Sequence, residues 1–109
     1  MTKSDLVYLI QENILKNNVG VKKREVSQKN IALILDGLFE VLKDGMAKDE
    51  HIELRGFGTF ESKIREPKKA INPRTKEVIS VEKHAVPIFR PGKELKQLVR
   101  DAFEKKLKG

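Results

Sequence analysis

The sequence of 109 residues contains no cysteine, so neither disulfide bonds nor thiolate metal sites can stabilise its fold. No apolar run approaches the roughly 20 residues that a membrane-spanning helix needs. Residues 1–5 lack the basic region and the apolar core of a signal peptide. We therefore expect a cytoplasmic protein in a reducing setting, with no membrane partner.

Residues suited to catalysis are also scarce. The chain has two histidines, His51 and His84, which lie far apart in the sequence and have no nucleophile pattern beside them. Residues 56–58, Gly-Phe-Gly, begin like a dinucleotide-binding fingerprint, but Glu61 stands where the third glycine is required. We therefore expect no enzyme activity, no catalytic or metal-ligating residues, no cofactor and no small-molecule substrate.

What the chain has in excess is positive charge. Charged residues make up 36% of the sequence, against roughly 25% in ordinary soluble domains. The 23 basic and 16 acidic residues leave a net charge of +7. Residues 62–76 alone hold six basic residues and one acid, Glu66. Lysines on an exposed sheet edge can simply prevent aggregation, but a field of one sign is a poor route to solubility alone. The excess therefore favours a polyanionic partner.

The first half of the chain predicts two helices. Leu6, Ile10 and Ile14 recur four residues apart and form one apolar face. Ser27 is a plausible cap for a second helix that runs to about Lys43 and ends at Gly45. This second helix is apolar around much of its circumference, which is typical of a helix buried on more than one side. A single small domain has little else to cover it, so we expect dimerisation through this helix.

The second half predicts strands and a closing helix. Ile52 and Leu54 alternate with charged residues, as in a half-buried strand. A polar strand follows, with Pro67 at an edge or a bulge because proline cannot donate to a ladder. Residues 72–75, Asn-Pro-Arg-Thr, mark a turn, and the return strand ends near Phe89. The expected fold class is α+β: two helices, a three-stranded antiparallel sheet with a protruding β-arm, and a C-terminal helix.

Three segments carry a resemblance to a known family. Residues 56–61 (Gly-Phe-Gly-Thr-Phe-Glu), residues 72–75 and residues 86–96 (Val-Pro-Ile-Phe-Arg-Pro-Gly-Lys-Glu-Leu-Lys) resemble the bacterial HU and integration host factor proteins. The resemblance extends from about residue 27 to residue 102. It implies one domain over residues 1–109 that forms an intertwined dimer. Its parts would be a helical dimerisation region (about 3–46), a sheet with a DNA-binding arm (about 51–90) and a C-terminal helix (about 92–108).

The resemblance also implies a function and its residues. The protein would be a nucleoid-associated architectural protein that bends double-stranded DNA, largely without sequence specificity, as a homodimer or as a heterodimer with a paralogue. Its arms would bind the minor groove, and Pro73 would insert between base pairs. The arm residues implied to bind DNA are Lys63, Arg65, Lys68, Lys69, Asn72, Arg74 and Lys76. The body residues implied to bind DNA are Lys3, Arg55, Arg90, Gly92, Lys93 and Lys96.

The sequence departs from the family pattern in several places, which keeps other functions open. Ile71 replaces an arginine and Lys76 replaces a glycine near the arm tip, and the connector between the first two helices, residues 21–26, is longer than usual. One alternative is a site-specific DNA-bending protein like integration host factor. Another is a basic module that binds RNA or an acidic protein, which the cations of the connector, residues 22–24, would suit.

Overall fold

The computed structural model describes residues 1–108 and has the α+β fold that the sequence predicts. The described chain forms two compact units, Met1–Lys43 and a second unit that begins at Asp44. The helices are α1 (Lys3–Asn17), a 3₁₀ helix (Lys23–Val26), α2 (Gln28–Ala47) and α3 (Lys93–Lys108). The strands are β1 (Ile52–Leu54), β2 (Gly58–Arg65), β3 (Lys68–Ile71), β4 (Val78–Val81) and β5 (His84–Pro91). No helix among these residues is long and apolar enough to cross a membrane.

The first unit contains α1, the 3₁₀ helix and most of α2. At the start of α1, the carboxylate of Asp5 accepts a hydrogen bond of 2.8 Å from the backbone N–H of Thr2, one half of a capping box. At the start of α2, the hydroxyl of Ser27 accepts a hydrogen bond from the N–H of Asn30, so Ser27 caps the helix as predicted. The buried apolar side chains of the described chain are few and include Val7 in α1.

The prediction that α2 ends at Gly45 is wrong. The helix continues to Ala47, and the chain turns afterwards at Asp49, whose φ of 60° lies in the left-handed region. Gly45 is buried instead, because a Cβ atom there would lie 2.8 Å from Cδ1 of Ile52. The glycine allows the first residue of β1 to pack against the helix backbone.

The second unit is built on a three-stranded antiparallel sheet in the order β1-β2-β5. Phe60 in β2 lies opposite Phe89 in β5, and their ring centroids are 4.8 Å apart. Phe57 adds a third ring, 5.3 Å from Phe89. Gly58 leaves room for this cluster, since a Cβ atom there would come within 2.6 Å of the Phe89 ring and of the Arg90 carbonyl. The return strand ends at Pro91, two residues beyond the predicted end.

The arm begins at Ser62, where the outer ends of β2 and β5 pair, and continues past a break as a separate two-stranded antiparallel sheet formed by β3 and β4. Pro67 lies in the break between β2 and β3, where its missing N–H removes no ladder hydrogen bond. In the arm, Lys68 pairs with Val81 and Ile71 pairs with Val78. The predicted protruding ribbon is therefore present, and Pro67 divides its outer part from the three-stranded sheet, hereafter the body sheet.

Candidate nucleic-acid interface

The tip of the arm is a short loop with a defined conformation. Beyond the last strand pair, the N–H of Asn72 donates to the carbonyl of Glu77 at 2.9 Å. The N–H of Lys76 donates to the carbonyl of Asn72 at 2.8 Å, so residues 73–76 form the loop itself. The side-chain oxygen of Asn72 also accepts a hydrogen bond of 2.9 Å from the N–H of Arg74. Pro73 is thus exposed at the first loop position, where its ring and the Asn72 side chain both restrict the backbone.

Lys76 closes the loop with a φ of 64°, in the left-handed region. Glycine adopts this conformation freely, whereas a residue with a Cβ atom adopts it at a cost of roughly 1 kcal/mol. Lys76 therefore stands where the family has a glycine, and its backbone adopts a conformation that glycine would adopt without strain. The lysine adds a positive charge at the arm tip, and its backbone is strained there.

The cations of the arm are exposed and unpaired. Lys63 and Arg65 are two residues apart in β2, so they lie on the same face of the strand, while Lys68 and Lys69 lie on opposite faces of the ribbon. Within residues 1–108, no carboxylate lies at ion-pair distance from any basic side chain of the arm. The arm has six such basic side chains: Lys63, Arg65, Lys68, Lys69, Arg74 and Lys76.

Exposed apolar side chains lie between these cations. Ile71 and Val78 form a cross-strand pair on the face that carries Lys69. Ile79 and Val81 lie on the other face with Lys68. Each face of the ribbon therefore offers a cation for a phosphate and an apolar surface for sugars or base edges.

Two of the predicted body residues already have acidic partners. Arg90 Nε lies 2.7 Å from Oε1 of Glu61, a carboxylate that is only 7% exposed. The second oxygen of Glu61 lies 3.3 Å from Nδ1 of His51. Lys3, in the first unit, forms a 2.7 Å ion pair with Asp36. Neither pair was predicted from the sequence, because the partners lie about 30 residues apart and no local pattern joins them.

The other body residues lie around the start of α3. The N–H of Gly92 donates to the carbonyl of Phe57 at 2.8 Å, which fixes the start of the helix beside the turn that contains Arg55. The carbonyl of Gly92 accepts a hydrogen bond of 3.0 Å from the N–H of Lys96. Lys93 and Lys96 are exposed and one helical turn apart. The fold thus brings three predicted cations and the positive end of a helix to one edge of the body sheet, an arrangement that favours anions.

The histidines and acids do not assemble a metal site. Among residues 1–108, no group of three or more His, Cys, Asp or Glu side chains could hold a metal ion. His84 is exposed and its Nδ1 lies 2.9 Å from the carbonyl of Glu82. The cationic arm and body edge are therefore the strongest candidates for a functional surface.

Comparison with known proteins agrees with this geometry. Residues 1–100 match the family model described as bacterial DNA-binding protein. The chain belongs to this bacterial DNA-binding protein family. Its membership confirms the resemblance to HU and integration host factor that the three sequence segments carry.

Individual members of the family are similar over nearly their whole length. The DNA-binding protein HU of Thermotoga maritima is 34% identical over 100 residues, which cover 92% of this chain and 100% of that protein. The integration host factor subunit beta of Marinobacter nauticus is also 34% identical, over 96% of this chain and 98% of its own length. A cocrystal structure of Anabaena HU with DNA superposes with a TM-score of 0.71 at 27% identity, covering 91% of this chain and 97% of that one. Equal identity to HU and to the integration host factor subunit does not separate these two branches of the family.

Proposed function

We propose that this protein is a homodimeric architectural DNA-binding protein that bends duplex DNA with its β-arms, without catalytic activity. The observation that carries the proposal is the arm, a ribbon of unpaired cations with an exposed proline held at its tip. Family membership supports DNA as the partner, and Anabaena HU, a similar protein, has been crystallised with DNA.

Pro73 acts as the wedge in this proposal. Minor-groove proteins often insert an apolar side chain between base steps, which costs a few kcal/mol of unstacking and lets the bent duplex contact more protein. Such a wedge works best when it is held rigidly before DNA arrives. The Asn72 side chain and the four-residue loop supply that rigidity through the hydrogen bonds to Arg74 and Lys76.

The cations supply the affinity. On the arm these are Lys63, Arg65, Lys68, Lys69, Arg74 and Lys76, with Asn72 at the tip, and the body adds Lys3, Arg55, Arg90, Gly92, Lys93 and Lys96. Each phosphate neutralised releases counterions, so log affinity falls with log salt by about 0.9 for each contact. The minor groove carries a degenerate pattern of donors and acceptors, so we expect little sequence specificity. A non-specific DNA-bending protein of this kind would organise the nucleoid.

Dimerisation follows from the apolar surface that one copy leaves uncovered. Ile34, Leu38 and Val41 recur along one side of α2, and they are 72%, 41% and 67% exposed. The chain exposes 9655 Å² in all, whereas a folded monomer of 12.5 kDa should expose roughly 6,200 Å². The excess in each chain is larger than the surface that one partner typically contributes to an obligate dimer interface. Residues 3–46 would form the dimerisation region, residues 51–90 the sheet and DNA-binding arm, and residues 92–108 the closing helix.

The experiment that tests the wedge compares two proline variants. Pro73→Ala should leave dimerisation intact, as sedimentation velocity would report, but reduce the bend of a duplex labelled at both ends for fluorescence energy transfer. Pro67→Ala is the matched control, since it removes a proline from the same arm at the break before β3 rather than at the tip. An unchanged bend angle with Pro73→Ala would contradict the wedge role.

A further inference from the structure

Two segments of this chain carry most of its excess of positive charge. Residues 62–76, on the arm, hold six basic residues and one acid, and residues 16–29, between α1 and α2, hold five basic residues and one acid. The remaining residues contain 12 basic and 14 acidic side chains, so they carry a net negative charge. Residues 16–29 are therefore nearly as strongly one-signed as the arm, although they lie in the other compact unit.

The basic residues of this second segment are all on its surface. Lys16 lies in the last turn of α1, Lys22 precedes the 3₁₀ helix, Lys23 and Arg24 begin it, and Lys29 lies in the first turn of α2. All five side chains are exposed, and among residues 1–108 none is at ion-pair distance from a carboxylate. The acid of the segment, Glu25, accepts a hydrogen bond of 3.3 Å from the backbone N–H of Lys22, so it holds the turn.

A buried glutamine fixes this segment to α1. Gln11 is only 3% exposed, and its Nε2 donates a hydrogen bond of 3.0 Å to the carbonyl of Val26 at the end of the 3₁₀ helix. Its Oε1 accepts a bond of 3.3 Å from Nε2 of Gln28 at the start of α2. Because the connector is held at both of these points, its cations project from a fixed scaffold. A pre-ordered cationic surface loses less conformational entropy when it binds.

We propose that residues 16–29, hereafter the connector surface, bind the phosphates of duplex DNA and lengthen the footprint beyond the arms. This inference rests on the proposed function. Duplex phosphate suits the surface better than single-stranded nucleic acid, because residues 16–29 contain no aromatic side chain on which a base could stack. Duplex phosphate also suits the connector surface better than a protein partner would, since protein interfaces centre on aromatic and apolar anchors.

The test compares two triple variants that change the net charge equally, from +7 to +4. The first is Lys22→Ala, Lys23→Ala, Arg24→Ala on the connector surface. The second is Lys105→Ala, Lys106→Ala, Lys108→Ala at the end of α3. Binding is measured as a function of salt on a long duplex and on one truncated from both ends, and thermal unfolding confirms that each variant is folded.

The connector variant should lower the salt slope on the long duplex by about 5.4, since the homodimer loses six phosphate contacts and each removes about 0.9. On the truncated duplex its slope should equal that of the unmodified protein, and the α3 variant should match the unmodified protein on both. Equal losses in the two variants would mean a net-charge effect and would overturn the proposal. An unchanged slope with the connector variant, or a loss confined to structured RNA, would overturn it too. If the unmodified protein itself failed to bend the duplex, the proposed function would fail instead.

Discussion

The cations of the arm and those of the body differ in what already surrounds them. Lys63, Arg65 and their neighbours on the arm have no carboxylate partner within the described chain, whereas Arg90 and Lys3 each have one at 2.7 Å. An unpaired exposed cation can meet a phosphate without losing another contact. A paired cation must give up its carboxylate first, so its net contribution to binding is smaller. On the proposed function, we therefore expect the arm to supply most of the affinity for DNA and the paired Arg90 and Lys3 to contribute less.

The largest effect should come from removing unpaired arm cations. The double variant Lys63→Ala, Arg65→Ala should lower the salt slope by about 3.6 and weaken binding at 0.1 M salt by roughly 4,000-fold, because the homodimer loses four phosphate contacts and each contributes about 0.9 to the slope. Fluorescence anisotropy on two duplexes of unrelated sequence measures both quantities. If binding fell on one sequence and held on the other, these residues would read bases rather than phosphates.

A smaller effect, of opposite sign, should follow from releasing Arg90. Glu61→Gln removes the charge that holds Arg90 in the body sheet, so duplex affinity at 0.1 M salt should rise by no more than about 60-fold, the value of the two phosphate contacts that the homodimer would gain. Glu66→Gln is the matched control, since it makes the same charge change at an arm acid that forms no ion pair within residues 1–108. An equal rise in both variants would show that net charge, not release of Arg90, is responsible.

The smallest effect should be on stability, at the arm tip. Lys76→Gly and Lys76→Ala remove the same charge, but only glycine relieves the left-handed φ of 64°. The glycine variant should therefore be more stable than the alanine variant by about 1 kcal/mol. Thermal unfolding measures the difference where the arm melts together with the body, and hydrogen exchange of the Lys76 amide measures it locally. Equal stability would contradict strain at this residue.

The fold was largely predictable because the sequence patterns that specify its helices, strands and turns are local. The apolar spacing in α1, the alternation at Ile52 and Leu54, and the turn at residues 72–75 each specify an element without reference to the rest of the chain. The boundaries were less predictable. Gly45 could be read as a helix end, but its packing against Ile52 depends on where β1 lies, which the sequence pattern alone does not indicate.

The residues of the candidate site are proposed from the sequence, and the structure adds their environment, which the sequence did not indicate. The sequence identifies the cations of the arm, and the fold leaves them exposed. The sequence does not indicate that Arg90 forms an ion pair with Glu61, because that contact depends on the register in which β2 pairs with β5. Nor does it indicate that Gln11 anchors the connector, since an isolated glutamine on a helix gives no signal of burial.

The most direct test of the account is binding to an intact duplex and to the same duplex with a central nick or gap, titrated in salt with a bend readout. A wedge that unstacks base pairs should bind the weakened duplex more tightly, because part of the unstacking cost is already met. We expect tighter binding to the nicked or gapped duplex together with a clear bend in both. Weak binding without preference or bend would contradict it and would make the arm a generic cationic surface.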